Sequence, residues 1–95
     1  MPNKSNEAGA DRALIARWIK PERAYPGDPE ARVVDTDIPV WALVGHFKAN
    51  GEDAGLTAAD YRLPPEAIKA ALAYYRKRRE IIDARLMAND TANGS

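Results

Sequence analysis

Ninety-five residues suffice for one small domain, and 14 basic against 14 acidic side chains leave a formal net charge of zero, so any charged partner must be held by local clusters. An apolar fraction of 45% and a charged fraction of 29% are those of an ordinary globule and not of a disordered chain. The lack of cysteine excludes disulfides, thiolate metal sites and cysteine nucleophiles, and no apolar run approaches the roughly 20 residues that span a bilayer.

The opening "MPNKSNEAGADR" has no apolar core of a signal peptide, which leads to the expectation of a cytoplasmic protein. Residues 1–10 and 89–95 are small and polar and are expected to be disordered tails. Between them, residues 11–37 read as an N-terminal segment. "DRALIARWIK" sets Leu14, Ile15, Trp18 and Ile19 at helical spacing behind a capping Asp11, with Pro21 as a stop. "PERAYPGDP" carries three prolines and a glycine and reads as a loop, and "ARVVDTD" is the one β-like stretch.

Residues 38–88 read as a helix-turn-helix domain. "IPVWALVGHFKANG" starts a helix at Pro39, with Val40, Val44 and Phe47 on one face and Gly51 as a left-handed stop. "EDAGLTAADY" is a shorter helix with acids at its start, weakened by Gly55. After "RLPP", the fixed φ of Pro65 opens a third helix with no Gly or Pro from Glu66 to Ala88. Its stripe of Ile68, Leu72, Tyr75, Ile82 and Leu86 includes Arg79, and at about 1.5 Å per residue it would be roughly 35 Å long, so its second half is expected to project. The predicted fold is mainly α: a trihelical helix-turn-helix core with a long C-terminal helix, a short N-terminal helix and at most one short strand.

Charge is segregated along the chain. Residues 28–60 hold seven acids (Asp28, Glu30, Asp35, Asp37, Glu52, Asp53, Asp60) against Arg32 and Lys48. Residues 69–85 hold six bases (Lys69, Arg76, Lys77, Arg78, Arg79, Arg85) against Glu80 and Asp83. The bases of "YYRKRRE" wrap around the helix, and i,i+4 pairing of Arg76 with Glu80 and of Arg79 with Asp83 would cancel part of them. A solvated face, a phosphate contact and a protein interface all fit that pattern. In a helix-turn-helix, bases are read from the start of the recognition helix, which here offers Glu66, Lys69 and the nearby Arg62. Arg62 and Lys69, with Arg76 and Lys77 further along, are the candidates for DNA phosphates, while no Asn or Gln stands there to read adenine. Trp18 could pack on its own core or on a partner. The single His46 reads as structural or exposed, and Asp35, Asp37, Asp53 and Asp60 as caps and solubilising charges. Without a glycine-rich phosphate loop or a nucleophile–base spacing, the residues suggest no enzyme, cofactor, metal or small-molecule substrate.

Taken in order, "IPVWALV" opening a helix, "NGE" as a turn, "ADY" closing a second helix and "LPPEAIKAALAYYRKRRE" as a third resemble domain-of-unknown-function family 433, with "ARWIKPE" as a lead-in, over about residues 17–86. Members of that family include VapB-like antitoxins of bacterial toxin–antitoxin pairs. Where many members have a glycine and an arginine around "IPV", this chain has Asp35, Thr36 and Asp37. The resemblance implies a helix-turn-helix fold, operator DNA binding for autoregulation, and a PIN-like ribonuclease toxin as partner, in a homodimer or hetero-oligomer. A basic helix end suits the acidic, metal-binding active site of such a toxin, which makes Arg78, Arg79, Arg85 and Trp18 the candidates for toxin contact. The competing readings are a stand-alone DNA-binding regulator, and a homodimeric scaffold in which Arg79 meets Asp35 or Asp37 of a second chain.

Overall fold

The computed structural model describes the backbone of residues 4–20 and 29–94, and side chains over 9–20 and 29–89. The fold is mainly α. In chain order it runs α1 (Lys4–Trp18), β1 (Ile19–Lys20), β2 (Arg32–Val33), α2 (Val40–Ala49), α3 (Ala54–Tyr61), α4 (Pro65–Lys77) and α5 (Arg79–Gly94). Most of the proline-rich "PERAYPGDP" loop lies outside the described residues. The helix expected from Asp11 begins at Lys4, and the backbone of residues 89–94 continues α5.

The expected strand at "ARVVDTD" is β2, and it pairs antiparallel with β1, Ile19 opposite Val33 and Lys20 opposite Arg32. The Val34 N–H donates to the Trp18 carbonyl at 2.7 Å and the Val40 N–H to the Ala31 carbonyl at 2.8 Å, which fastens α1 and the start of α2 to the same short ribbon. Between β2 and α2 the chain turns at Asp35 (φ 62°), where the Thr36 hydroxyl donates to the Val33 carbonyl and accepts from the Ile38 N–H. That short hydroxyl-centred turn gives "DTD" a local structural role.

The trihelical arrangement follows the predicted punctuation. Pro39 caps α2, and Gly51 (φ 71°) and Glu52 (φ 62°) make the left-handed turn. The Asp53 carboxylate caps α3 by accepting the Leu56 N–H at 2.9 Å. Arg62, in the left-handed region, ends α3, and Pro64–Pro65 begin α4.

α4 is the centre of the molecule: α1, α2, α3 and β1 all pack on it. Its buried residues are Ala67, Ile68, Ala70, Ala71, Ala73 and Tyr74, a much wider face than the narrow apolar stripe of the sequence reading. The four alanines are the reason. With only a methyl group each, they let neighbouring helices approach α4 closely, and α1 covers a side that its composition left open. Leu14, Ile15 and Trp18 of α1 complete the core formed by Ile19, Val33, Val40, Leu43, Val44, Ala58 and Ile82.

One expectation is overturned. The third helix is not continuous from Glu66 to Ala88: it breaks at Arg78 (φ −127°, ψ 38°), and α5 turns back to pack against α2. No helix-breaking residue causes this. Burial of Ile82 (0% exposed) and the half-burial of Leu86 against α2 decide it, at the cost of helical hydrogen bonds at one joint.

Candidate interaction surface

The elbow between α4 and α5 places Lys77, Arg78 and Arg79 in succession. Among the described residues none of the three pairs with a carboxylate: Arg78 donates to the Lys77 carbonyl at 3.2 Å, and the Arg79 guanidinium lies 5.5 Å from the Tyr75 ring centroid. The break interrupts the helix between Arg76 and Glu80, whereas Arg79 and Asp83 still lie four apart within α5, where Asp83 is taken by other partners; both expected pairs are replaced. Asp83 turns inward, accepting from the Tyr75 hydroxyl at 2.7 Å and lying 3.5 Å from the Lys48 ammonium. Arg76 reaches Asp11 of α1 at 3.1 Å.

Beyond the elbow, α5 shows solvent an apolar strip. Ile81, Ala84, Met87 and Ala88 are exposed and share one helical face by their spacing, and Met87 is 69% exposed. The sequence reading missed Ile81 and Met87. The doublets Ile81–Ile82 and Leu86–Met87 carry the signal, since in a helix adjacent apolar residues point about 100° apart and one of each pair must leave the core.

Around Ile82 and Leu86, the inner face of α5 is fastened by polar groups. Arg85 donates to Glu30 at 2.6 Å and stacks over the Trp41 ring at 4.1 Å, while the Trp41 indole N–H donates to the other Glu30 oxygen at 3.4 Å. Lys48 donates to the Tyr75 hydroxyl at 2.8 Å; that bond, with Asp83 nearby, holds the ammonium above its ordinary 10.5 against the opposing effect of burial. Gly45 permits the close approach of α5, since a Cβ there would meet Leu86 Cδ2 at 3.0 Å.

Of the expected toxin contacts, then, Arg78 and Arg79 meet no carboxylate among the described residues, whereas Arg85 is engaged by Glu30 and Trp41. Trp18 packs half-buried on its own core, with the Arg17 guanidinium 5.3 Å from its ring. The expected DNA contacts are spread out. Arg62 is exposed at the end of α3, Lys69 is exposed on α4, Lys77 belongs to the elbow, and Arg76 is paired with Asp11. A helix entering a major groove needs an open face, and apart from Arg76 and Lys77 at its end α4 exposes only Pro65, Glu66 and Lys69.

His46 joins the two helices of the turn. Its Nε2–H donates to Asp60 at 2.8 Å, the Asn50 amide donates to the same oxygen at 3.3 Å, and the ring stands edge-on to Tyr61 at 5.2 Å. The His46 bond, aided by Asn50, holds the Asp60 carboxyl below its ordinary 3.8 against a weaker effect of desolvation. Among the described residues no three His, Asp or Glu side chains gather as a metal site would require, and no helix is long and apolar enough to cross a membrane.

Comparison with known proteins extends to one family. Residues 29–75 match the family described as "Protein of unknown function (DUF433)". This is shorter than the span of about 17–86 expected from the sequence motifs, and it runs from β2 through most of α4. Arg62 and Lys69 fall inside it; α1, the elbow and α5 fall outside. No curated protein and no solved structure matches this chain.

Proposed function

We propose that the protein is a non-catalytic, antitoxin-like binding protein that neutralises a PIN-like ribonuclease toxin through the elbow and outer face of α5. The observation that carries this reading is the run Lys77–Arg78–Arg79, which among the described residues has no carboxylate of its own chain to satisfy it, followed by the exposed Ile81 and Met87. Guanidinium groups that hold no carboxylate of their own chain can enter a site crowded with metal-binding carboxylates, and flanking apolar side chains supply the dehydrated contact that such an ion pair needs. The resemblance to antitoxins is what names the partner's class. Arg85 and Trp18 contribute only if they leave the internal contacts that now occupy them.

Operator DNA is the second reading, favoured by Arg62 and Lys69, which flank the start of α4 and lie in the segment that matches the family. The burial of α4 supports phosphate contact more than base reading, so binding of this kind would be weakly sequence-specific and steeply salt-dependent.

Co-expression with the product of the adjacent reading frame tests the first reading. Rescue of growth and co-purification are expected, with both lost in the charge reversal Arg78→Glu/Arg79→Glu. A circular dichroism spectrum and melting curve confirm that this variant stays folded. An adjacent gene product that is harmless and does not bind, or a folded double variant that neutralises the toxin as well as the parent, overturns it. A salt-sensitive shift of the protein's own promoter fragment, abolished by Arg62→Ala/Lys69→Ala with no second protein present, would carry the DNA reading instead.

A further inference from the structure

We infer that α5 is an exchangeable arm: α4 and α5 can straighten into one helix, and the α5 of a second copy of this chain can then occupy the surface on α2 that α5 covers within its own chain. Three observations lead here. The first is that the elbow has no cause in its local sequence. "YYRKRREIID" contains neither Gly nor Pro, and the five residues at its centre, Arg76 to Glu80, are all good helix formers, so a helix through Arg78 is what the stretch adopts when nothing holds it bent.

The second is how little the two helices are parted. The Arg78 N–H still donates to the Tyr74 and Tyr75 carbonyls, and the Ile82 N–H donates to the Arg78 carbonyl at 3.0 Å. Among the described residues, the amides of Arg79, Glu80 and Ile81 make no backbone bond back to α4, so rotation at one residue would restore the three missing bonds of a continuous helix. From Pro65 to Gly94 such a helix would be about 45 Å long, enough to carry α5 clear of its own globule.

The third is the composition of the seam. Apart from Ile82 and Leu86, α5 is fastened by Arg85 to Glu30 and Trp41 and by Asp83 to Lys48 and Tyr75. These contacts are specific in geometry, but both ion pairs are partly exposed to solvent, where water can replace them during opening. Once α5 has left, Gly45, Lys48, Trp41 and Glu30 present a surface whose complement is α5 itself, and a second copy supplies that complement with every contact repeated. The closed monomer and the exchanged dimer therefore differ chiefly at the joint and in the entropy of association, which is the balance that permits exchange of an identical element. This makes a two-fold pair in which each α2 surface is completed by the other chain.

The natural lack of cysteine allows a direct test. Gly45→Cys and Leu86→Cys are prepared as separate proteins, warmed together to open α5, cooled at high concentration and oxidised. The double variant, oxidised at low concentration, serves as the control for folding, since its disulfide must close within one chain. The expected product is a disulfide between one chain of each single variant, in a species of twice the chain mass by light scattering. Insertion of three glycines after Arg78, which lets α5 fold back freely, is expected to lower the dimer about tenfold. The inference is overturned if the mixed variants stay uncross-linked while the double variant closes within its own chain at every concentration. Like-with-like disulfides as frequent as the mixed ones, the mark of random collision, also overturn it. No toxin or DNA is present in this experiment, so its outcome is independent of the reading above.

Discussion

α4 and α5 derive from a single stretch of helix-forming sequence, yet different forces hold them. α4 buries six side chains, four of them alanine, between α1, α2, α3 and β1, and its stability is that of the whole core. α5 buries Ile82, rests Leu86 on Gly45, and otherwise relies on a guanidinium, an ammonium and two carboxylates at a half-wet boundary. Packing on a wide apolar face makes an element that leaves only when everything unfolds, whereas a largely polar seam makes one that can open locally. The match to the DUF433 family divides the chain similarly, ending at residue 75, before the elbow.

Substitutions can break or sharpen this contrast. The largest effect is expected for Ile68→Ala, at a position 1% exposed in the core: a loss of about 2–5 kcal/mol of global stability in denaturant unfolding, with α4 and α2 losing exchange protection together. Ile82→Ala removes a side chain that is equally buried, but about 2–4 kcal/mol is expected to be lost from the docking of α5, so amide exchange should accelerate in α5 while α4 keeps its protection. Equal acceleration in both helices would remove the distinction between them.

Arg85→Ala should cost about 1 kcal/mol, since it loses one partly exposed ion pair and one ring contact, and tryptophan fluorescence should report the change around Trp41. Gly45→Ala is milder still, at under about 1 kcal/mol, because the methyl group meets the mobile end of Leu86 and not backbone; its signature is faster exchange confined to α5.

The smallest effect lies away from the elbow. The folded Asp60 carboxyl is held below 3.8, so its contribution is present above the unfolded value and is lost as pH falls through the folded one. Acid titration followed by the NMR signals of His46 and Tyr61 should show the α2–α3 contact loosening below the ordinary carboxylate range, and Asp60→Asn should flatten that response. The raised Lys48 has the opposite sign: its contribution is complete below 10.5 and fades as pH rises through the folded value.

Most of the helical core could be read from local chemistry. Pro39, Gly51, Asp53 and Pro64–Pro65 act within a few residues of themselves, through fixed φ, positive φ or a side-chain oxygen offered to the next amides, so the start of α2, the turn into α3 and the start of α4 follow from short stretches of sequence. The candidate surface was only half legible. The cluster Lys77–Arg78–Arg79 is plain in the sequence, but which of its neighbours stay available depends on Asp11, Glu30 and Trp41, respectively 65, 55 and 44 positions from the arginines they engage.

By itself, then, the sequence determined where α2, α3 and α4 begin, where the α2–α3 turn falls and which stretch carries the basic charge, because the first two are settled by torsions and hydrogen bonds between near neighbours and the third by composition. Only the tertiary structure decided that the last helix bends at Arg78, that alanines line the middle of the core, and that Arg85 meets a carboxylate while, among the described residues, Arg79 does not. Those outcomes come from the burial of Ile82 and Leu86 against a distant helix, a gain spread over apolar surfaces that outweighs a few backbone bonds at the joint and leaves no mark in the local sequence.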